Sequence, residues 1–295
     1  MHRTTRLIAG GFVAAFAALD GHLILPSPSN PPSTNSRTLS SFYSKARSYL
    51  REWKLLASVQ AETGDAIPEV TPWNWNWDGM HRETNATSSC LARGDEPSRK
   101  PRCSRHLIFI RHGQYHYADS DAECHLTSLG HEQLNFTGLR LKHLNFPYLT
   151  LYYSTMTRAV ESTEEVLKHL PDVKVVPSVL LREGAPYPLE PPIPSYRPTA
   201  KELKEDGERI ESAFRTFVHR PDASQTQDTY EIFVCHGNVI RYIVCRALQL
   251  PPEAWIRFSL DHGSITWLVI RSDGRVALKC LGDSGHIPPD RISVQ

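Results

Sequence analysis

The sequence predicts an α/β protein: a three-layer sandwich with a mostly parallel sheet and helices on both faces. Three observations predict it. From about residue 105 short apolar runs alternate with segments of helical periodicity, the pattern of a parallel sheet covered on both sides. The last two apolar runs are joined by Ser272-Asp273-Gly274, a hairpin signal. Polar residues gather where the apolar runs stop, and in open α/β sheets ligands bind at the carboxyl ends of strands.

Each element has a local reason. His106–Ile110 is a short, wholly apolar run after its first residue and reads as a buried strand. Thr127–Leu144 carries Leu134, Leu139, Leu141 and Leu144 at helical spacing. Tyr148–Tyr153 reads as a strand and Met156–Leu170 as a helix stopped by Pro171. Val173–Val176 is a strand. Thr199–Val218 is a helix with Leu203, Ile210, Phe214 and Phe217 on one face. Thr229–Cys235 is a strand, and Val239–Leu250 a helix ended by Pro251-Pro252. Ile265–Ile270 and Val276–Leu281 form the terminal pair.

The chain has 295 residues, long enough for one large domain with an appendage. Lys and Arg number 33 against 32 Asp and Glu, so a near-neutral total excludes a general nucleic-acid binder. The six cysteines form no Cys-x-x-Cys pair; in a core-rich chain of this length they read as free thiols of a reducing compartment. Residues 1–25 read as a targeting or anchoring segment: Leu7–Leu19 is apolar or Gly throughout and follows His2, Arg3 and Arg6. A cleaved signal and an uncleaved membrane anchor both fit. Residues 26–103 read as a linker. It opens on a Pro/Ser/Asn-rich stretch and holds an amphipathic segment over 39–59, suited to a membrane surface or to an ordinary solvated helix. It also contains Trp73-Asn74-Trp75-Asn76-Trp77-Asp78, three of the six tryptophans in five residues. Clustered Trp suits an anchor in a groove; packing on the chain's own domain suits it equally. Residues 104–290 form the folded domain.

Four strand ends carry the chemistry. They are Arg111-His112-Gly113-Gln114, then Ser154 to Arg158, then Leu181-Arg182-Glu183-Gly184, then His236-Gly237-Asn238. Convergence would place two Arg, two His and one Glu in one cleft. Guanidinium forks match the oxygens of a phosphate dianion. One imidazole can act as a nucleophile on phosphorus, and another can donate to the oxygens being transferred. A carboxyl held neutral can protonate the leaving oxygen. Gly113 would let the backbone approach the phosphate. Phosphoryl transfer needs mainly positioning and positive charge, so this reading calls for no metal.

The constellation resembles the histidine phosphatase superfamily, also called phosphoglycerate-mutase-like, over about Ser104–Pro289. Ile110–His116, Leu126–Gly130 with Gln133, Ser154–Ala159, Leu180–Pro186, Glu231–Ala247 and Leu281–Gly285 are similar, within it, to the mitochondrial protein Ser/Thr phosphatases that form the fifth branch of the phosphoglycerate mutase family. The resemblance implies the phosphoglycerate-mutase-like fold and these roles. His112 accepts the phosphoryl group, Arg111 and Arg158 hold its oxygens, His236 stabilises it in transfer, and Glu183 donates the proton and later activates water. Arg111, Gly113, Arg158 and His236 then bind the substrate. It further implies phosphoserine or phosphothreonine proteins as substrates, an apoptosis signal-regulating kinase among them, and no metal or organic cofactor. It implies a mitochondrial membrane location, the outer membrane favoured, with a soluble catalytic domain on an N-terminal anchor. It implies a homodimer or higher homo-oligomer driven by the Trp motif, here Trp73, Asn76, Trp77 and Asp78, with Asn74 where the family carries Asp. Two other readings remain. A small-molecule phosphatase or phosphoglycerate mutase is the rival enzyme, although Gln114-Tyr115 departs from those relatives. A non-enzymatic membrane scaffold is the rival class, and it would predict a lost catalytic group.

Overall fold

The computed structural model describes residues 71–80 and 103–294, together with the backbone of the segments 5–9, 12–19 and 22–24. The chain divides into two compact units, Met1–Thr71 and Pro72–Gln295. In the first, β1 (Thr5–Ala9), β2 (Phe12–Leu19) and β3 (His22–Ile24) make an antiparallel sheet in that order. The segment read as an anchor thus takes strand form here. Among the described residues no helix is long and apolar enough to cross a membrane. The amphipathic segment 39–59 and the linker stretches 26–70 and 81–102 lie outside the described residues.

The second unit is built on a six-stranded sheet. Its strands are β4 (Ser104–Arg111), β5 (Tyr148–Ser154), β6 (Lys174–Ser178), β7 (Thr229–Cys235), β8 (Ile265–Arg271) and β9 (Val276–Asp283). The order is β6-β5-β7-β4-β8-β9. The first four run parallel, β8 is antiparallel to β4, and β9 closes the hairpin with β8. The mostly parallel sheet is as the alternation predicts. Pro177 sits in β6 at the sheet edge, where a missing N–H costs no ladder bond.

Side-chain alternation along the central strands makes two cores. On one face Leu107, Phe109, Phe233 and Cys235 pack with helices α3 (Ala200–Phe217) and α4 (Gly237–Ala247) through Ile210, Phe214, Ile240 and Ile243. On the other, Ile108, Ile110, Ile232 and Val234 pack with α1 (Ser128–Leu144) and α2 (Thr157–Leu167) through Leu134, Leu141 and Val166. Both centre strands are buried on two sides, which is why they read as continuous apolar runs. Local signals set the helix ends. Thr127 caps α1 by accepting from Gly130 N at 3.0 Å, and Asn145 ends it in the left-handed region. Thr199 and Glu202 form a reciprocal capping box on α3. Two helices stop three residues before their expected ends. α2 stops at Leu167, and α4 at Ala247 with Gln249 at φ 55°.

The Trp motif belongs to this second unit and packs on it. Trp77 lies against Phe214, ring centroids 6.0 Å apart, and its indole N–H donates to Gly274 O at 2.8 Å. The Asp78 carboxylate is fully covered and accepts a fork from Arg220, Nε and NH2 each at 2.8 Å, plus the Arg220 backbone N–H at 2.9 Å. Burial opposes its charge, but the Arg220 hydrogen bonds outweigh that and hold the carboxyl below its ordinary value. Asn74 and Gln249 exchange two further bonds at 2.8 and 3.0 Å. Trp75 stays exposed.

Breaking the covered pair by Asp78→Ala is expected to cost about 3 kcal/mol, read as a lower urea midpoint at pH 7. The folded carboxyl is depressed, so its contribution is complete above the ordinary value of 3.8 and is lost as pH falls below it. The parent–variant gap closes in acid; a gap that persists there would sink the assignment.

Candidate functional site

The site forms where β4, β5 and β7 end, because parallel strands deliver their carboxyl ends to one edge. Arg111 closes β4, and the chain turns into His112. Three backbone bonds fix the turn: Arg111 N–H to Ser264 O at 3.2 Å, His112 N–H to Cys235 O at 3.0 Å, and Gly263 N–H to Arg111 O at 3.0 Å. Gly263 has φ +70°, which favours glycine. Gly113 serves differently from the sequence expectation. Its N–H donates to Ser162 Oγ at 3.1 Å. A Cβ there would meet Gly130 O and a Leu134 methyl at 2.6 Å. Its lack of a side chain lets α1 close on the loop, and the backbone N–H is already engaged.

His112 is buried, and its Nδ1–H donates to Gly113 O at 2.8 Å. That bond fixes the tautomer and leaves a lone pair on Nε2. Arg158, in the first turn of α2, brings its Nε to 3.3 Å from that nitrogen. The Arg158 guanidinium also covers the Tyr115 ring at 4.7 Å, and Tyr115 meets His112 edge-on at 5.2 Å. The His236 ring lies 5.1 Å from that of His112. Its Nε2 is 2.7 Å from Ser154 Oγ; with the hydroxyl donating there, Nδ1 is left as an N–H donor. His236 Nδ1 and Arg111 Nε are buried without a hydrogen-bond partner among the described residues. Buried donors of this kind suit an anion.

Glu183 lies on the loop after the short turn Val179–Leu181. Its carboxylate accepts from Gly184 N at 3.2 Å and from Asn238 N at 3.5 Å. The loop is held from α3: Arg209 donates to Glu183 O at 2.9 Å and to Arg182 O, while Asp206 accepts from Ala185 N at 3.0 Å. Beside it opens a cleft of about 570 Å³ lined by Tyr117, Met156, Arg158, Glu183, Tyr196 and Arg197. All five side chains expected at the site therefore meet at one sheet edge.

The electrostatics follow from burial next to cations. Burial, with His236, Arg158 and Arg111 nearby, pushes His112 well below 6.5, so the ring is neutral at pH 7. His236 is pushed down in the same way. Burial lowers Arg111 to about 10 against Glu183's pull, so it keeps its charge. Burial raises Glu183 above its ordinary 4.5, with Arg158 opposing.

Several residues of the site are not among the five groups that the strand ends supply. Ser154 was visible only as the first letter of Ser-x-x-x-Arg. Asp121 faces Arg158 at 3.6 Å and Arg182 at 3.7 Å. Arg241 lies within range of the Glu183 charge, and His262 packs on His112 with ring centroids 5.6 Å apart. Residue type and spacing assign none of these a catalytic part; the fold brings them to the site. Among the described residues no group of three or more His, Cys, Asp or Glu is arranged to hold a metal ion.

The profile of the histidine phosphatase superfamily (branch 1) matches residues 107–189 and 187–283. The chain is 48% identical over 246 residues to the mitochondrial serine/threonine-protein phosphatase PGAM5 of Homo sapiens, covering 80% of this chain and 85% of that one. It is 49% identical over 248 residues to the protein of that name from Xenopus tropicalis, covering 81% and 86%. For Drosophila ananassae the figures are 44% over 227 residues, covering 73% and 78%. Among solved structures, a phosphoglycerate mutase from Plasmodium falciparum is 32% identical, with a TM-score of 0.46 over 63% of this chain and 96% of that one.

Ser154→Ala removes the hydroxyl that fixes the His236 tautomer. It is expected to lower kcat on order ten-fold with unchanged circular dichroism; full activity would show that the tautomer needs no such partner. In the parent, kcat/KM is expected to keep its plateau to well below pH 6.5, because His112 stays neutral there. The rate should fall as rising pH deprotonates Glu183, and a pH profile of Glu183→Gln should lack that alkaline limb.

Proposed function

Since the chain belongs to the histidine phosphatase superfamily, we propose that it hydrolyses phosphoserine and phosphothreonine esters of proteins through a phosphohistidine on His112. The observation that carries this reading is the nucleophile's geometry. One His112 nitrogen is tied to Gly113 O at 2.8 Å, and the other carries a lone pair with the Arg158 guanidinium 3.3 Å away.

In the first step Nε2 attacks phosphorus and the ester P–O bond breaks. Arg111 and Arg158 neutralise charge on the oxygens of the group in transfer, and His236 donates a hydrogen bond to them. Glu183, whose proton is held more tightly because burial raises its pKa, gives that proton to the departing serine or threonine oxygen. In the second step the Glu183 carboxylate takes a proton from water, the water oxygen attacks phosphorus, and the P–N bond breaks. Inorganic phosphate leaves and the Nε2 lone pair returns. A free imidazole is required at the start, and the depressed basicity of His112 supplies it at neutral pH.

The open cleft beside Glu183 suits a phosphoprotein loop, and every group the chemistry needs is present, against a purely scaffolding role. Mitochondrial association accords with relatives that carry that word in their names. The finer reading is an outer-membrane location through residues 1–25, a stress kinase among the substrates, and a homo-oligomer assembled through Trp73, Asn76, Trp77 and Asp78. Its support is the sequence resemblance. The motif's packing on its own domain leaves Trp75 as the exposed aromatic available to a second copy.

His112→Ala is expected to abolish phosphopeptide hydrolysis, and the parent quenched in alkali should carry an acid-labile phosphate on His112; an active variant would reject the nucleophile. Glu183→Gln should slow phosphoserine peptide turnover by about 10²–10⁴-fold. It should slow the p-nitrophenol burst far less, since that leaving group needs little protonation. Rates on phosphoserine peptide, phosphotyrosine peptide and phosphoglycerate decide the substrate class. Fastest turnover of phosphoglycerate would replace the protein phosphatase reading with the metabolic one.

A further inference from the structure

The nucleophile loop is gripped from both sides by residues that meet at one hydroxyl far along the chain. Gln133, fully buried in α1, accepts from Gln114 N–H at 2.9 Å through Oε1. Its amide Nε2 donates to Arg291 O at 2.7 Å and to Ser293 Oγ at 2.9 Å. On the other side, His262 packs its buried ring on His112. His262 Nδ1 lies 2.9 Å from the same Ser293 Oγ, and its backbone N–H donates to Ser293 O at 3.0 Å. A hydroxyl has one proton to give and two lone pairs. Ser293 accepts from Gln133 and keeps one proton and one lone pair, so it can bond His262 Nδ1 in either tautomer of that ring.

We propose that Ser293 is a positioning residue for the His112 nucleophile, acting through Gln133 on the Gln114 backbone and through His262 on the His112 ring. The inference rests on the phosphohistidine reading. Its physical content is geometric. An imidazole attacking in line must hold its nitrogen to a few tenths of an ångström, and a misplacement of about 1 Å can cost about 100-fold. The His112 ring has two hydrogen bonds, from Nδ1–H to the adjacent Gly113 O and from Arg158 Nε to Nε2; the second is given up when Nε2 attacks, which leaves the ring's tilt to the groups packed on it. Tyr115 and His262 are two of those neighbours. Ser293 sets one of them and, through Gln133, the backbone two residues beyond the nucleophile.

The test compares Ser293→Ala, Ser293→Val and Ser293→Thr in the full chain. Threonine and valine have the same shape and differ by the hydroxyl. Loss of the hydroxyl in the Ala and Val variants is expected to lower kcat on phosphoserine peptide, and the p-nitrophenol burst rate, by about ten-fold. KM should stay within about two-fold. The Thr variant should restore the parent values, and melting temperatures should agree within about 2 °C. Equal activity in Val and Thr variants would overturn the proposal, as would a loss that tracks a fall in melting temperature. A second readout needs no turnover. The His112 imidazole ¹⁵N resonances should shift in the Ala and Val variants and stay in place with Thr. Unmoved resonances overturn the proposal even if the parent proves inactive, whereas an inactive parent with shifted resonances sinks the phosphatase reading alone.

Discussion

The structure depends on holding cations beside a neutral imidazole out of water. Arg111 and Arg158 are both buried, and so are His112 and His236. Burying a guanidinium is costly unless its donors are engaged. Arg111 spends part of its fork on Leu260 O, and Arg158 spends part on His112 and on the Tyr115 face. Burial first, and then the same field that would draw in a phosphate, keeps protons off both rings. Nucleophile activation and anion binding are thus one electrostatic arrangement, and neither needs the histidines to be charged.

The carboxyl side of the site is organised separately. Glu183 sits on a loop without regular structure, and α3 supplies its rigidity. Arg209 and Asp206, one turn apart on that helix, bond three backbone positions of the loop, at Arg182, Glu183 and Ala185. A Cβ on Gly184 would lie 2.3 Å from the Asp206 carboxyl carbon, so the loop is pressed on the helix as closely as a backbone allows. The capping box at Thr199 starts α3 at a fixed point, which fixes where Asp206 falls along it. At its far end the same helix carries Phe214, the surface on which Trp77 rests.

The Trp motif shows how one composition admits two uses. Three tryptophans in five residues read as an anchor, and the structure divides them. Trp77 is spent on the domain's own core with its N–H satisfied by Gly274 O, and Asp78 is sealed by the Arg220 fork. Trp75 remains outside. Spacing gives no indication of which ring turns inward, because that depends on Phe214 and Gly274, both remote in sequence.

The sequence by itself determined the strands and helices of the 103–294 region, the layered parallel sheet and the five groups of the site. These are set by short-range periodicity, by caps such as Thr127 and Thr199, and by motifs that follow directly on strands, so the information lies within a few residues of its effect. The ends of α2 and α4 came three residues early: after α2 the chain tightens into i→i+3 bonds, His169 N–H to Val166 O and Leu170 N–H to Leu167 O, and after α4 Gln249 turns left-handed. Only the tertiary structure decided what Gly113 is for, which partners each imidazole meets, and that Ser154, Asp121, Gln133, His262 and Ser293 surround the nucleophile. Those facts depend on contacts between residues as much as 160 positions apart, as between Gln133 and Ser293. No local pattern encodes such a contact; it arises when the sheet brings separate strand ends to one edge.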